Sequence, residues 1–173
     1  MSEPAAATLP TSPEALLAYL RELGIETRTV SHPPVFTVEQ AKALRGELPG
    51  HHIKNLFLRN KKGAMWLVVC LEDREIDLKA LATALDAGRF SFGSADRLMT
   101  HLGVEPGAVT PFAVINDTDR QVTVVLDSAV LTPGPVNCHP LVNHMTTAIA
   151  AADLVRFLDS TGHPPRRLDM DAL

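Results

Sequence analysis

Ile53-Lys54-Asn55-Leu56-Phe57-Leu58-Arg59, then Asn60-Lys61-Lys62-Gly63, then Ala64-Met65-Trp66-Leu67-Val68-Val69-Cys70-Leu71 read as two strands joined by a polar turn. Runs of this length rich in Leu, Phe, Val and Trp, separated by a short polar segment containing Gly, have the pattern of a β-hairpin. The second run is apolar almost throughout, so both of its faces must be covered and it belongs in the middle of a sheet. In the first run Lys54 and Asn55 are neighbours, and the period of two sends their side chains to opposite faces. One of the two therefore points inward.

Working outward from the hairpin, Ser12-Pro13-Glu14 opens a helix with Leu16, Leu17, Leu20 and Leu23 on one face and Gly24 as its stop. Ile25 to Val30 alternates as a half-buried strand and ends at His32-Pro33-Pro34, where a proline pair cannot continue a ladder. Thr37 and Gln40 form a capping box for a short helix through Leu44, and Gly46 to His52 is a loop. Asp77 and Ser94 cap two further amphipathic helices, closed by Gly88 and Gly103. Phe112 to Ile115 and Gln121 to Leu126 are expected to form a second hairpin around Asn116 to Asp119, and a last helix spans about Ala151 to Leu158. Strands that come as hairpins predict an α/β domain with a mixed, mainly antiparallel sheet and surrounding helices.

The chain has 173 residues, 46% of them hydrophobic and 21% charged, which suits one globular domain. Residues 1–12 are expected as a flexible tail, 13–162 as the domain and 163–173 as a second tail. No apolar run reaches the roughly 20 residues of a membrane span, and the N-terminus lacks the basic start and apolar centre of a signal peptide, so cytoplasmic residence is expected. Cys70 and Cys138 have neither zinc-site nor disulfide spacing, and Cys70 suits a buried small hydrophobe. The net charge of −4 excludes binding to polyanions through global attraction; any RNA contact must be local, and Lys54, Arg59, Lys61 and Lys62 form the densest basic cluster.

The generic signatures of nucleotide, dinucleotide, metalloprotease and serine-hydrolase sites are missing, so neither a cofactor nor a metal is expected. The polar groups left at element edges are His32, Lys54-Asn55, the loop Gly107-Ala108-Val109-Thr110-Pro111, and His139-Pro140-Leu141 with Asn143. A lysine at a strand start is often only a guard against aggregation. A Gly- and Pro-bounded loop can present backbone N–H groups to an oxyanion or serve as a plain connection. A lone histidine can be a base or a structural group.

These residues, in this order, resemble the family of aminoacyl-tRNA editing domains related to the insertion domain of bacterial prolyl-tRNA synthetase. The similarity runs through His32-Pro33, Thr37-Val38-Glu39 with Ala41, Lys54 to Leu58, Leu102-Gly103 to Phe112, Asn116-Asp117, His139-Pro140-Leu141 with Asn143, and Thr146-Thr147. Within that family the pattern is most similar to free-standing alanyl-tRNA(Pro) deacylases. The resemblance implies hydrolysis of the ester of Ala-tRNA(Pro), with Lys54, Gly107 and His139 in catalytic positions. It implies Asn55, His32, Ala108, Val109, Thr110, Pro111 and Asn143 around the substrate. The implied partner is the alanine-charged acceptor end of tRNA(Pro), with transient contact to prolyl-tRNA synthetase and none with DNA or membrane. A non-catalytic nucleic-acid-binding or regulatory module is the alternative, and a hydrolase of free esters is a third reading.

Overall fold

The computed structural model describes residues 9–34, 39 and 48–173. The capping-box helix from Thr37 to Leu44, and Val38 and Ala41 with it, lies outside the described residues.

The described residues form one eight-stranded sheet: β1 (Thr27–Ser31), β2 (His51–Arg59), β3 (Met65–Leu71), β4 (Ser91–Phe92), β5 (Val122–Asp127), β6 (Pro135–Cys138), β7 (Met145–Ala150) and β8 (Arg166–Leu168). The order is β1-β7-β6-β2-β3-β5-β8, with β4 also pairing to β2. The β1–β7, β2–β3, β2–β4 and β6–β7 pairs are antiparallel, and the β2–β6, β3–β5 and β5–β8 pairs are parallel. The sheet is thus mixed with antiparallel pairs in the majority, as expected. The hairpin of β2 and β3 is at its centre, in register from Ile53↔Leu71 to Arg59↔Met65.

β3 is apolar because it is covered on both sides. Leu67 and Val69 join a core built on helices α1 (Pro13–Glu22) and α4 (Ala151–Ser160), through Leu16, Leu20, Leu154 and Phe157, together with Phe112. Val68 and Cys70 join a second core under helix α2 (Leu78–Ala84), with Leu58, Phe90, Val125 and Met170. Burial pushes the Cys70 thiol up to about 11, where it is inert as a nucleophile at neutral pH. Helix α3 (Ala95–Leu102) is capped by Ser94 Oγ, which accepts from Arg97 N at 3.1 Å. It stops at Gly103, whose φ is +65° and where a Cβ would sit 2.6 Å from Asn116 Nδ2. That contact forces glycine at the entrance to the 103–111 loop. Among the described residues no helix is long and apolar enough to cross a membrane.

Three expectations are corrected. Pro111–Asn116 is a 3₁₀ helix, so the hairpin expected around Asn116 to Asp119 does not form, and β5 pairs in parallel with β3. A short apolar run has no periodicity that separates strand from buried helical turn, and here Pro111 at the first position with Thr110 Oγ1 accepting from Phe112 N decides for the turn. Within the turn Asn116 to Asp119, Asp117 is a buried latch: it accepts from Val122 N at 2.8 Å and Gln121 N at 3.1 Å, and pairs with His163 Nε2 at 2.9 Å.

Residues after Gly162, expected as a tail, belong to the fold. Arg166–Leu168 adds β8 to β5, His163 is 4% exposed and Met170 is 5% exposed. A three-residue strand with two arginines carries no alternating signal in sequence. At the other end, Thr11 N donates to Asn116 Oδ1 at 2.8 Å, so the expected N-terminal tail is attached from that point.

Candidate active site

The edge of β2 decides where the site is. Its start is paired by β6 at His51↔Val136 and His52↔Asn137, and its end is paired by β4 at Leu58↔Phe92 and Arg59↔Ser91. Between them, among the described residues, no strand covers the edge, and Lys54 and Asn55 lie in that gap. Paired residues share a face, so His52 and, by alternation, Lys54 are on the face of Asn137. Asn55 turns to the other face.

The structure therefore separates two groups of the expected site residues. Asn55 meets the loop, its Nδ2 donating to Val109 O at 3.1 Å, while its Oδ1 is buried and accepts no hydrogen bond. Lys54 is on the opposite face, where its Nζ donates to Arg74 O. That carbonyl is held in turn by the Arg74 side chain, which pairs with Asp127 at 2.7 Å and Asp171 at 2.8 Å. Among the described residues no carboxylate pairs with Lys54.

Within the loop, Gly107 and Ala108 belong to a short 3₁₀ turn, and Ala108 N donates to Glu105 O at 2.9 Å. Thr110 is fully buried and Pro111 is buried behind it, so both shape the loop from within. Gly107 and Ala108 face Leu141, Val142 and Asn143 across a cavity of about 400 Å³. Leu141 has φ +73°, a conformation that costs a branched residue energy and turns the chain sharply after His139-Pro140.

His139 and His32 approach each other at the far end of the same β6–β7 connection, with ring centroids 6.3 Å apart. His139 Nδ1 is 3.0 Å from Met145 O; a carbonyl can only accept, so Nδ1 carries the proton and a neutral ring keeps a lone pair on Nε2. Burial pushes the pKa of His139 below the ordinary 6.5, the bond to Met145 pulls the other way, and His32 adds a smaller push down. By the same reasoning His32 Nδ1 donates to Pro33 O at 2.8 Å, and its Nε2 meets Thr146 Oγ1 at 2.8 Å. Thr146 pairs with Val30 across the β1–β7 ladder, so His32, Thr146 and Lys54 share one face of the sheet. Among the described residues no three His, Cys, Asp or Glu side chains converge as metal ligands.

Arg74 and His163 carry no local motif, and Thr146 and Asp117, though part of the motifs that carry the resemblance, have no expected role as the partners of His32 and His163. A basic residue three positions after a strand has no signal to tie it to a carboxylate at the end of another.

A model of the aminoacyl-tRNA editing domain matches residues 32–157, which span both groups of site residues. The chain belongs to the aminoacyl-tRNA editing domain family. It is accordingly an editing enzyme, a hydrolase of the ester that joins an amino acid to tRNA. It is 41% identical over 155 residues to a Danio rerio protein named prolyl-tRNA synthetase associated domain-containing protein 1, covering 88% of this chain and 84% of that one. It is 35% identical over 158 residues to the prolyl-tRNA editing protein ProX of Acetoanaerobium sticklandii, covering 91% and 96%. A solved structure described as a candidate trans-editing enzyme for prolyl tRNA synthetase has the same fold, with a TM-score of 0.71 at 18% identity over 94% of this chain and 98% of that one.

The editing domain should lose stability on acidification in two stages. Burial alone would raise Asp117, but the bonds from His163, Val122 N and Gln121 N outweigh it and hold the carboxyl below the ordinary 3.8. Both Asp117 and His139 thus have folded values below their unfolded ones. Each contributes stability in full above its unfolded value and loses it as pH falls through that value toward the folded one. The loss begins below 6.5 for His139 and below 3.8 for Asp117. Its slope is at most about 1.4 kcal/mol per pH unit for each proton taken up. Melting temperatures of the parent and His139→Asn should diverge in slope between about pH 7 and 5. Parallel curves would show that His139 takes up no proton on unfolding.

Proposed function

We propose that this editing enzyme acts in trans on tRNA(Pro) mischarged with alanine, releasing free alanine and tRNA(Pro), and that it meets prolyl-tRNA synthetase only transiently. The observation that carries the reading is Asn55 at the gap in the β2 edge, with Nδ2 fixed on the loop and Oδ1 buried without a donor. A buried acceptor left unmatched costs about 1–3 kcal/mol, and the ammonium group of an aminoacyl ester is a donor of the right chemistry to remove that cost.

An aminoacyl ester is already reactive, so the site needs to align a water and stabilise charge more than it needs a strong nucleophile. Ala108 N is committed to Glu105 O, which leaves the N–H groups of Gly107 and Val109 for the oxyanion. Neutral His139, with its lone pair on Nε2, orients the attacking water, and Lys54 acts as a point charge toward the terminal adenosine. The ribose hydroxyl leaves with the proton that the water gave up. Alanine is smaller than proline, so steric exclusion can spare the correctly charged tRNA.

Purified protein given Ala-tRNA(Pro), Pro-tRNA(Pro) and a free alanyl ester in parallel tests this reading. Ala-tRNA(Pro) should be hydrolysed more than about 200-fold faster than Pro-tRNA(Pro), beyond what binding to a shared apolar pocket could discriminate. Equal rates on the two tRNAs would remove alanine from the proposal. Turnover of the free ester at the same efficiency would remove the tRNA.

A further inference from the structure

We infer that a groove on the face shared by His32, Thr146 and Lys54 holds one nucleotide of the single-stranded 3′ end of tRNA, with its phosphate on Arg28 and its base over Val30 and Ala148. The inference rests on the editing reading and extends it from the reacting ester to the strand that carries it.

The groove encloses about 280 Å³ and is lined by Arg28 and Val30 of β1, Thr146 and Ala148 of β7, and Pro135 and Asn137 of β6, with Leu48 and Pro49 at its rim. The ladder makes this a single surface. Arg28 is opposite Ala148, which is opposite Asn137, and Val30 is opposite Thr146. The floor is small and apolar, as a stacked base requires, and its polar groups are at the edges. Arg28 is exposed and forms no ion pair among the described residues. In a chain of net charge −4 such a local cation is what a phosphate would find.

The groove is continuous with the candidate site. Thr146 lines it and also meets His32 Nε2 at 2.8 Å, and His32 in turn approaches His139. Lys54 and Arg28 sit on strands three places apart, so roughly 14 Å of sheet separates their Cα rows at the usual spacing of about 4.8 Å per strand. That span accommodates the terminal adenosine at Lys54 and an upstream phosphate at Arg28.

The test compares Arg28→Ala and Arg28→Lys with the parent on Ala-tRNA(Pro) and on alanyl-adenosine, which lacks the upstream nucleotides. Arg28→Ala should raise KM for the tRNA about tenfold. It should also flatten the log KM against log salt slope by about 0.7, the share of one single-strand phosphate. Lysine should recover most of the KM, and hydrolysis of alanyl-adenosine should not change. An unchanged KM for tRNA, or an equal loss on both substrates, would overturn the groove. Binding of a labelled RNA oligonucleotide ending in CCA is measured alongside. If the parent hydrolyses no aminoacyl-tRNA, the editing reading falls, and the groove then stands or falls on whether Arg28→Ala weakens oligonucleotide binding by the same factor.

Discussion

Lys54→Ala is expected to lower single-turnover deacylation of Ala-tRNA(Pro) by about 100- to 1,000-fold, the usual loss when one preorganised charge or donor is removed from a reaction centre. The lysine lies in the uncovered part of the β2 edge and its Nζ rests on Arg74 O, so its charge is held by a neutral carbonyl and is not cancelled. Stability should change far less, by about 1 kcal/mol for one hydrogen bond, or about 2–4 °C in melting temperature for a chain of this size. Lys54→Arg should not restore the rate, because a planar fork on a differently shaped stem cannot replace a compact ammonium. A folded Lys54→Ala protein that turns over substrate near the parent rate would take Lys54 out of the mechanism.

Arg74→Ala is expected to have the largest effect on stability. Asp127 is 1% exposed, and among the described residues it has, besides Arg74, only the amides of Ala129 at 3.1 Å and Leu71 at 3.4 Å. Removing one member of a buried pair leaves the other charge uncompensated and costs about 3–5 kcal/mol. The Arg74 side chain is 16% exposed, so water can enter the space it leaves, and the low end of about 3 kcal/mol is expected, or roughly 6–12 °C in melting temperature. The exposed arm to Asp171 contributes little by comparison. Arg74→Ala combined with Asp127→Ala should recover part of the loss, because the stranded charge is gone. A single variant that melts within 2 °C of the parent, by a limit of about one hydrogen bond, would show that the Arg74–Asp127 pair does not stabilise the fold. Since Arg74 O holds Lys54, deacylation should fall with stability in Arg74→Ala, whereas in Lys54→Ala it falls alone.

The sequence by itself determined the elements with strong local signals. The β2–β3 hairpin was legible because an apolar run of strand length follows a polar turn, and helices α1 to α4 because each has an apolar stripe, and α1 to α3 a capping residue as well. It also established that Lys54 and Asn55 must part to opposite faces, a consequence of backbone geometry alone. The residues of the site were legible only as an ordered set, since each motif taken singly is equally at home in a structural role.

The tertiary structure decided which face each residue serves, because a strand carries no mark of what covers it. Asn55 goes to the loop and Lys54 to the face of His32 and Thr146 only because β2 leaves β6 after His52 and is taken up by β4 at Leu58. The run at Phe112 became a 3₁₀ turn under α4, where Phe112 meets Phe157 edge-to-face at 5.3 Å, a contact between residues far apart in the chain. Arg74 with Asp127, Asp117 with His163, and the groove at Arg28 are likewise products of strand order. Local physics sets periodicity and caps; partners brought together from distant positions decide which polar groups are buried, paired or left to meet a substrate.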